Sequence, residues 1–349
     1  MSKQNDGTTR RDVLKLAAGG AAIAATNGFL LPSTAQAANK LKLMNLGYVL
    51  GIHCPPTKGL VEELPQFGVN LEMRRFKKLR DNVQAVLGGA GDMGISGPII
   101  LLRSVQAGND VRIIGNYYTH TSLVVVANTD VIKSWDDFER DDVTVGINSQ
   151  GDITQVMIMG GLLKNNAGIA NVKWADIGGS GSRMRALIAN RIQATVIHFD
   201  QVPKVQKEGN YKVMLVPAEH YNPWVNEVVY TRGSWLDAGD NHSTAVQVMK
   251  SIITASRKAN SDFGYYKDAF SKYATIKGKD KMPEAKVRSY YETISHKMGV
   301  WPADNAFRAS NFEQLMPYYK AANAVTDAPI DFQKVVDESV VQQALKELG

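Results

Sequence analysis

The chain has 349 residues, with 40 Lys and Arg against 34 Asp and Glu for a formal net charge of +6, and one cysteine, Cys54. That length exceeds what one hydrophobic core organises, so two lobes are expected. A lone cysteine excludes an internal disulfide and leaves stability to packing, while the modest positive excess does not supply the concentrated patch of a nucleic-acid surface.

Arg10 and Arg11 precede a weakly hydrophobic run, Val13 to Leu31, built from Ala and Gly more than Leu. This is the pattern of a twin-arginine export signal. Pro32 ends the run, and Ala35-Gln36-Ala37 puts small side chains where a signal peptidase needs them, so cleavage is expected after Ala37 and the address is periplasmic. An uncleaved anchor would need roughly 20 strongly apolar residues, and Gly19, Gly20, Thr26 and Asn27 dilute this run. Export by this route also suits an enzyme loaded with its cofactor before transport, so the signal gives an address and no activity. Removing residues 1–37 takes away Lys3, Arg10, Arg11 and Lys15 against Asp6 and Asp12 and leaves a net of +4. Cys54 lies too far from the cleavage point to carry a lipid anchor.

From Leu41 onward, short β-like runs alternate with helix-length segments, the pattern of parallel strands joined by helical crossovers. A first strand spans Leu41 to Tyr48, a loop Val49 to Pro55, and a helix Pro56 to Leu64, whose proline suits a first turn. Val69, Leu71 and Met73 alternate as a second strand. The basic cluster that follows, Arg74, Arg75, Lys77, Lys78 and Arg80, reads as a solvated turn. Asp81 with Gln84 resembles a capping box opening a helix that stops at Gly88-Gly89. Ala90 to Ile95, Val111 to Gly115 and Leu123 to Val126 are further strands; three consecutive valines suit a strand covered on both faces.

Near Ala127 to Asp130 the count restarts, with Ser134 and Asp137 capping a new helix. Strand Val143 to Ile147, the polar turn Ser149 to Asp152 and a helix through Ile153, Val156 and Met157 follow; Gly160-Gly161 marks close packing. Val172 to Ile177, the turn Gly178 to Ser182, a helix with Met184, Leu187 and Ile188 on one side, and Ala194 to Phe199 repeat the plan as a βαβ unit. Val213 to Val216 and Val228 to Thr231 are the last strands. Ser243 to Gly349 is mainly helical and is expected to pack back on the first lobe.

No stretch satisfies the phosphate loop G-x-x-x-x-G-K-[ST] or the hydrolase elbow G-x-S-x-G, and Gly179-Ser180-Gly181 lacks the third glycine of a dinucleotide fingerprint. Gly178-Gly179-Ser180-Gly181 is followed by Ser182, and Gly94-Ile95-Ser96-Gly97 by Pro98. The six histidines, His53, His120, His198, His220, His242 and His296, never recur at the spacing that puts two ligands on one metal. No metal and no cofactor are expected. Cys54 beside His53 admits a thiolate reading, because an imidazolium lowers a thiol pKa, but a cysteine near a strand end also serves as a small buried side chain.

Polar turns at the carboxyl ends of strands are the better candidates, since ligands of open α/β sheets sit there beside helix N-termini. In the first lobe these are Gly51 to Cys54, with His53 and Cys54, and Ser96-Gly97-Pro98. In the second they are Ser149 to Thr154, with Gln150, Gly151, Asp152 and Thr154, and Gly178 to Ser182, with Ser180. Facing lobes would make these one cleft. Tyr117, Tyr118 and His120 end one strand, and His198 with Asp200 another, adding aromatic faces and hydrogen-bond partners for a flat or small polar ligand. Ser149 and Asp152 also read as helix caps, and Tyr117 as core. Arg183 and Arg185 at a helix start offer bidentate binding of a carboxylate or sulfonate, or are solvated.

Three segments carry a resemblance: Gly91-Asp92-Met93-Gly94-Ile95 leading to Gly97-Pro98, Val143-Thr144-Val145-Gly146 with the Ser149 to Thr154 turn, and Leu187 to Ala194. In order and spacing the chain from about 41 to 345 resembles the periplasmic binding proteins for nitrate, taurine and aliphatic sulfonates, whose relatives bind aromatic acids and thiamin precursors. The resemblance implies a type II periplasmic-binding fold, with two open, mostly parallel α/β sheets flanked by helices and joined by a two-strand hinge. Residues 38–128 with 232–349 would form lobe 1 and 129–231 lobe 2, with hinges near Ala127 to Asp130 and Val228 to Arg232. It implies a monomeric, non-enzymatic protein that closes on a small organic acid and hands it to an ABC permease and its ATPase. Two rivals share the fold: an exported enzyme, as in thiamin-pyrimidine-synthase relatives, and a binding protein that presents its ligand to a receptor kinase. Gln150-Gly151-Asp152 departs from the Gly-Ser-Thr turn common in such proteins, and His198-Phe199-Asp200 from their Trp-Asp strand end; an inward acid at Asp152 would repel an anion.

Overall fold

The computed structural model describes residues 40–46, 51–221 and 223–349. The expected export signal and the 47–50 stretch of the first strand and loop lie outside the described residues. Ten strands form two five-stranded sheets. They are β1 (Leu41–Leu46), β2 (Leu71–Phe76), β3 (Met93–Ser96), β4 (Arg112–Tyr118), β5 (Leu123–Asn128), β6 (Thr144–Ile147), β7 (Lys173–Asp176), β8 (Ala194–His198), β9 (Tyr211–Leu215) and β10 (Glu227–Thr231). The sheet orders are β2-β1-β3-β10-β4 and β7-β6-β8-β5-β9. Each contains a parallel trio, β2-β1-β3 or β7-β6-β8, and one antiparallel strand inserted beside it, β10 or β5.

The helices used below are α1 (Pro55–Lys58), α2 (Leu79–Leu87), α3 (Pro98–Gln106), α4 (Ile153–Lys164), α5 (Ser180–Ile188), and in the carboxyl-terminal third α6 (Asn241–Ser261), α7 (Phe263–Tyr273), α8 (Glu284–Tyr291), α9 (Ala309–Ala321) and α10 (Ser339–Leu348). Local chemistry explains most of their ends. Pro55 and Pro56 open α1 where the first N–H groups have no helical partner to lose, and Gly88 closes α2. Ser134 and Asp137 form the expected capping box, on a single tight turn. Asp81 is not the cap of α2: extended Lys78 precedes the helix, and Asp81 sits inside the first turn, where a carboxylate favours the dipole.

The chain passes between the sheets at 119–122 and again between β9 and β10. The sequence had pointed to Ala127 to Asp130 and Val228 to Arg232, one strand later in each case. Val124, Val125 and Val126 are buried as their composition requires, but they pair with β8 and β9 in the second sheet. Val228 to Thr231 pair with β3 and β4 in the first. A strand buried on both faces looks alike in either sheet, so the pairing is a tertiary decision.

The carboxyl-terminal helices do return to the first sheet: α6 and α10 pack together and against β4. In addition α9 packs on α4, beside the second sheet, with the Tyr318 ring edge-on to Tyr221 at 5.4 Å. Gly160 and Gly161 make room for this layer, since a Cβ on Gly160 would lie 2.3 Å from the Tyr221 hydroxyl and one on Gly161 2.3 Å from the Trp135 ring. The basic cluster Arg74, Arg75, Lys77, Lys78 and Arg80 is solvated as expected, but it is not a turn: Arg74 and Arg75 lie in β2 and Arg80 in α2.

Candidate functional site

The candidate site is drawn from the carboxyl ends of β3 and β4, the 51–54 segment and the end of β8. Ile52, His53 and Cys54 are buried. The segment is held by α1, whose Thr57 and Lys58 N–H groups donate to the Cys54 carbonyl at 2.9 and 3.3 Å, and by the Tyr266 hydroxyl, which donates to the Ile52 carbonyl at 3.2 Å. So anchored, the His53 ring stacks on Tyr118, with centroids 4.6 Å apart and planes 13° from parallel. Tyr117 lies tilted beside Tyr118 at 5.7 Å and hydrogen-bonds Thr57 through its hydroxyl.

Across the sheet, buried Glu227 opposes Tyr118, and on the other side of β10 Val228 opposes Ser96. Gly97 follows, 3.8 Å from the Asn226 carbonyl at its Cβ position, and α3 starts at Pro98. Two buried polar atoms here have no hydrogen-bond partner among the described residues, His53 Nε2 and Ser96 Oγ. An unmet buried donor or acceptor costs about 1–3 kcal/mol, and such groups at a strand end are what a bound polar solute would satisfy.

The second sheet presents β8. The Phe199 N–H donates to the Ser122 carbonyl at 2.8 Å, and Ser122 Oγ lies 2.7 Å from His198 Nδ1. Ser180 Oγ donates to Gln201 Oε1 at 2.6 Å and accepts from the His198 N–H at 3.2 Å. Burial first and then the field of His198 push His53 down to about 3, so its ring is neutral. His198 is lowered by burial and by Arg183, with Asp200 pulling the other way. Phe199, just after β8, meets Tyr290 of α8 edge-on at 5.9 Å.

The other expected residues have different work. Asp152 caps α4, accepting from the Thr154 N–H at 2.9 Å, the Thr154 hydroxyl at 2.5 Å and the Gln155 N–H at 3.3 Å. Thr154 Oγ1 in turn accepts from the Asn148 N–H at 2.9 Å. Gly151, at φ +68°, brings its carbonyl to Arg103 of α3, and a Cβ there would sit 2.3 Å from that guanidinium. Gln150 is exposed. Arg185 is exposed and donates to Ser182 Oγ at 3.1 Å. Arg183 is buried, its guanidinium spent on the Val196 and Gly178 carbonyls, and burial brings it down to about 10. Cys54 is buried and burial pushes its thiol up, which removes the thiolate reading. Among the described residues no cluster of His, Cys, Asp and Glu could hold a metal ion.

Sequence reasoning passed over Ser122, Asn226 and Glu227. Glu227 had a signal, an acid opening an otherwise β-like apolar run; Ser122 had none, because its partner is 76 positions away.

Known structures share this architecture. The aliphatic sulphonate-binding protein SsuA from Escherichia coli superposes with a TM-score of 0.64 at 12% identity, over 86% of this chain and 92% of that one. The nitrate-binding protein NrtA from Synechocystis gives 0.68 at 11%, over 89% of each. The ligand-binding component of an ABC-type import system from Staphylococcus aureus gives 0.64 at 14%, over 87% and 98%. At such identities the likeness is one of fold, and the fold is the two-lobed α/β architecture of type II periplasmic binding proteins of ABC importers. Residues 66–261 match the model of the NMT1/THI5-like family, and the chain belongs to that family. No curated protein sequence matches the chain. No helix among the described residues is long and apolar enough to cross a membrane.

Proposed function

We propose that this chain is the periplasmic solute-binding component of an ABC importer, exported through the signal in residues 1–37, working as a monomer and without catalysis. It takes a small organic acid, a carboxylate or sulfonate with a flat body, by closing its two sheets on it, and delivers it to a membrane permease and its ATPase. One observation carries this reading: His53 Nε2 and Ser96 Oγ stand buried at strand ends without a partner among the described residues, with the His53 ring stacked on Tyr118. Neutral imidazoles and a hydroxyl suit ligand oxygens, and the rings suit a planar body. The buried, protonated thiol of Cys54 supports binding over covalent chemistry.

The test is a thermal-shift panel of sulfonates, aromatic and aliphatic carboxylates, nitrate and thiamin precursors on the full chain. A ligand at 100-fold over its dissociation constant should add about 2.7 kcal/mol and be recovered unaltered. Consumption of the stabilising compound would make the chain an enzyme, and stabilisation by nitrate or thiamin precursors alone would replace the organic-acid assignment.

A further inference from the structure

Ser122 stands at the point where the chain crosses from the first sheet to the second, directly before β5. It is buried with no measurable exposure, and its hydroxyl has one hydrogen-bond partner among the described residues, His198 Nδ1 at 2.7 Å. A serine hydroxyl carries one hydrogen, and a neutral imidazole has one donor and one acceptor nitrogen. If Nδ1 carried the proton, it would donate to Ser122, and the hydroxyl hydrogen would be left buried without an acceptor, at a cost of about 1–3 kcal/mol. The opposite arrangement satisfies both groups. The charged groups acting on this ring are Asp200 and Arg183, and Arg183 is already committed to the Val196 and Gly178 carbonyls. His198 Nε2 makes no hydrogen bond among the described residues, and the residue is half-buried, so that edge is open.

We infer that Ser122 is a positioning residue: its hydroxyl donates to His198 Nδ1, fixes the ring as the Nε2–H tautomer, and makes the second-sheet wall of the site a neutral N–H donor. The solute therefore brings an acceptor, an oxygen or a ring nitrogen, to His198. The selection of a solute rests on the binding reading above, whereas the tautomer does not. Because Ser122 belongs to the crossover, and the Thr119 N–H of the same segment is tied to the Val300 carbonyl at 3.0 Å, the donor is aimed by the segment that joins the two sheets.

The experiment is nitrogen-15 spectroscopy of histidine in the full, unliganded chain, with His198→Gln used to assign the ring signals. The expected result is an unprotonated Nδ1 and a protonated Nε2 for His198, with the bias lost in Ser122→Ala and kept in Ser122→Thr. A protonated Nδ1 in the parent protein overturns the inference even if Ser122→Ala does not fold, as does an unchanged tautomer in a folded Ser122→Ala. With a compound from the panel in hand, Ser122→Ala should weaken its binding about tenfold and Ser122→Thr should restore it. A panel without a hit would count against the binding reading and leave the spectrum to decide the tautomer.

Discussion

The two walls of the site use polar side chains in opposite ways. On the first sheet, His53 and Ser96 are buried with atoms that bond to nothing among the described residues, and the rings around them are packed by Tyr117, Tyr118 and α1. On the second sheet nearly every polar group is already engaged: Asp152 and Thr154 close a helix end, Ser180 holds Gln201, and Arg183 holds two carbonyls. A polar turn at a strand end is therefore a ligand site or a structural cap depending on whether its hydrogen bonds close on themselves. The first wall spends stability on waiting groups, and the second wall spends its groups on stability.

Acid should have the largest effect, through the histidine of each wall. His53, held at about 3 against its ordinary 6.5, binds its proton in the unfolded chain first. Its contribution is complete above the unfolded value, near 6.5, and is lost as pH falls toward 3. His198 shifts in the same direction. Between about pH 6.5 and 4.5, above the range of most carboxylates, unfolding free energy should fall with a slope approaching about 1.4 kcal/mol per pH unit for each such proton. His53→Gln should flatten that slope in denaturant titrations; an unchanged slope would mean that the ring is not buried neutral.

Next comes affinity. His53→Ala removes both the stack on Tyr118 and an unpaired nitrogen, and should weaken ligand binding by roughly tenfold to a hundredfold in calorimetry. Normal binding with a lowered melting point would reassign His53 to the core and erase the contrast. Asp152→Ala should do the reverse, costing about 0.5–2 kcal/mol of stability through the lost cap while ligand affinity stays as in the parent. A fall in affinity larger than the fall in stability would return Asp152 to the site. Smallest is Arg185→Ala, whose exposed side chain bonds only Ser182 among the described residues, and which should change stability by less than about 0.5 kcal/mol and leave binding unchanged; a clear loss of affinity there would put an anion-binding arginine back in the cleft.

How much was legible before folding differs between the elements and their partners. The strands, the capping box at Ser134, the glycine stop of α2 and the close packing at Gly160-Gly161 follow from side-chain chemistry over a few residues, and they stand where that chemistry puts them except that β2 and β9 are displaced by up to three residues at their ends. The valines of β5 announced a strand covered on both faces but carried no mark of the sheet that would cover them, and β10 was silent in the same way. At the site, the sequence picked His53, Ser96 and His198 because polar groups at strand ends are visible locally, and it picked Gln150, Asp152 and Arg185 for the same reason. It carried no mark of which of these side chains would find hydrogen-bond partners within the fold.

By itself the sequence determined the order of strands and helices, the lack of a disulfide, and the turns from which a site could be drawn, because periodicity, caps and turn residues act within one or two turns of chain. Only the tertiary structure decided that β5 and β10 enter opposite sheets, that α9 reaches α4, and that Ser122 meets His198, because these depend on hydrogen bonds and packing between residues far apart in the chain. The same physics separates a waiting donor from a spent one: a side chain's function here is set by the partner it finds, and that partner is named only by the fold.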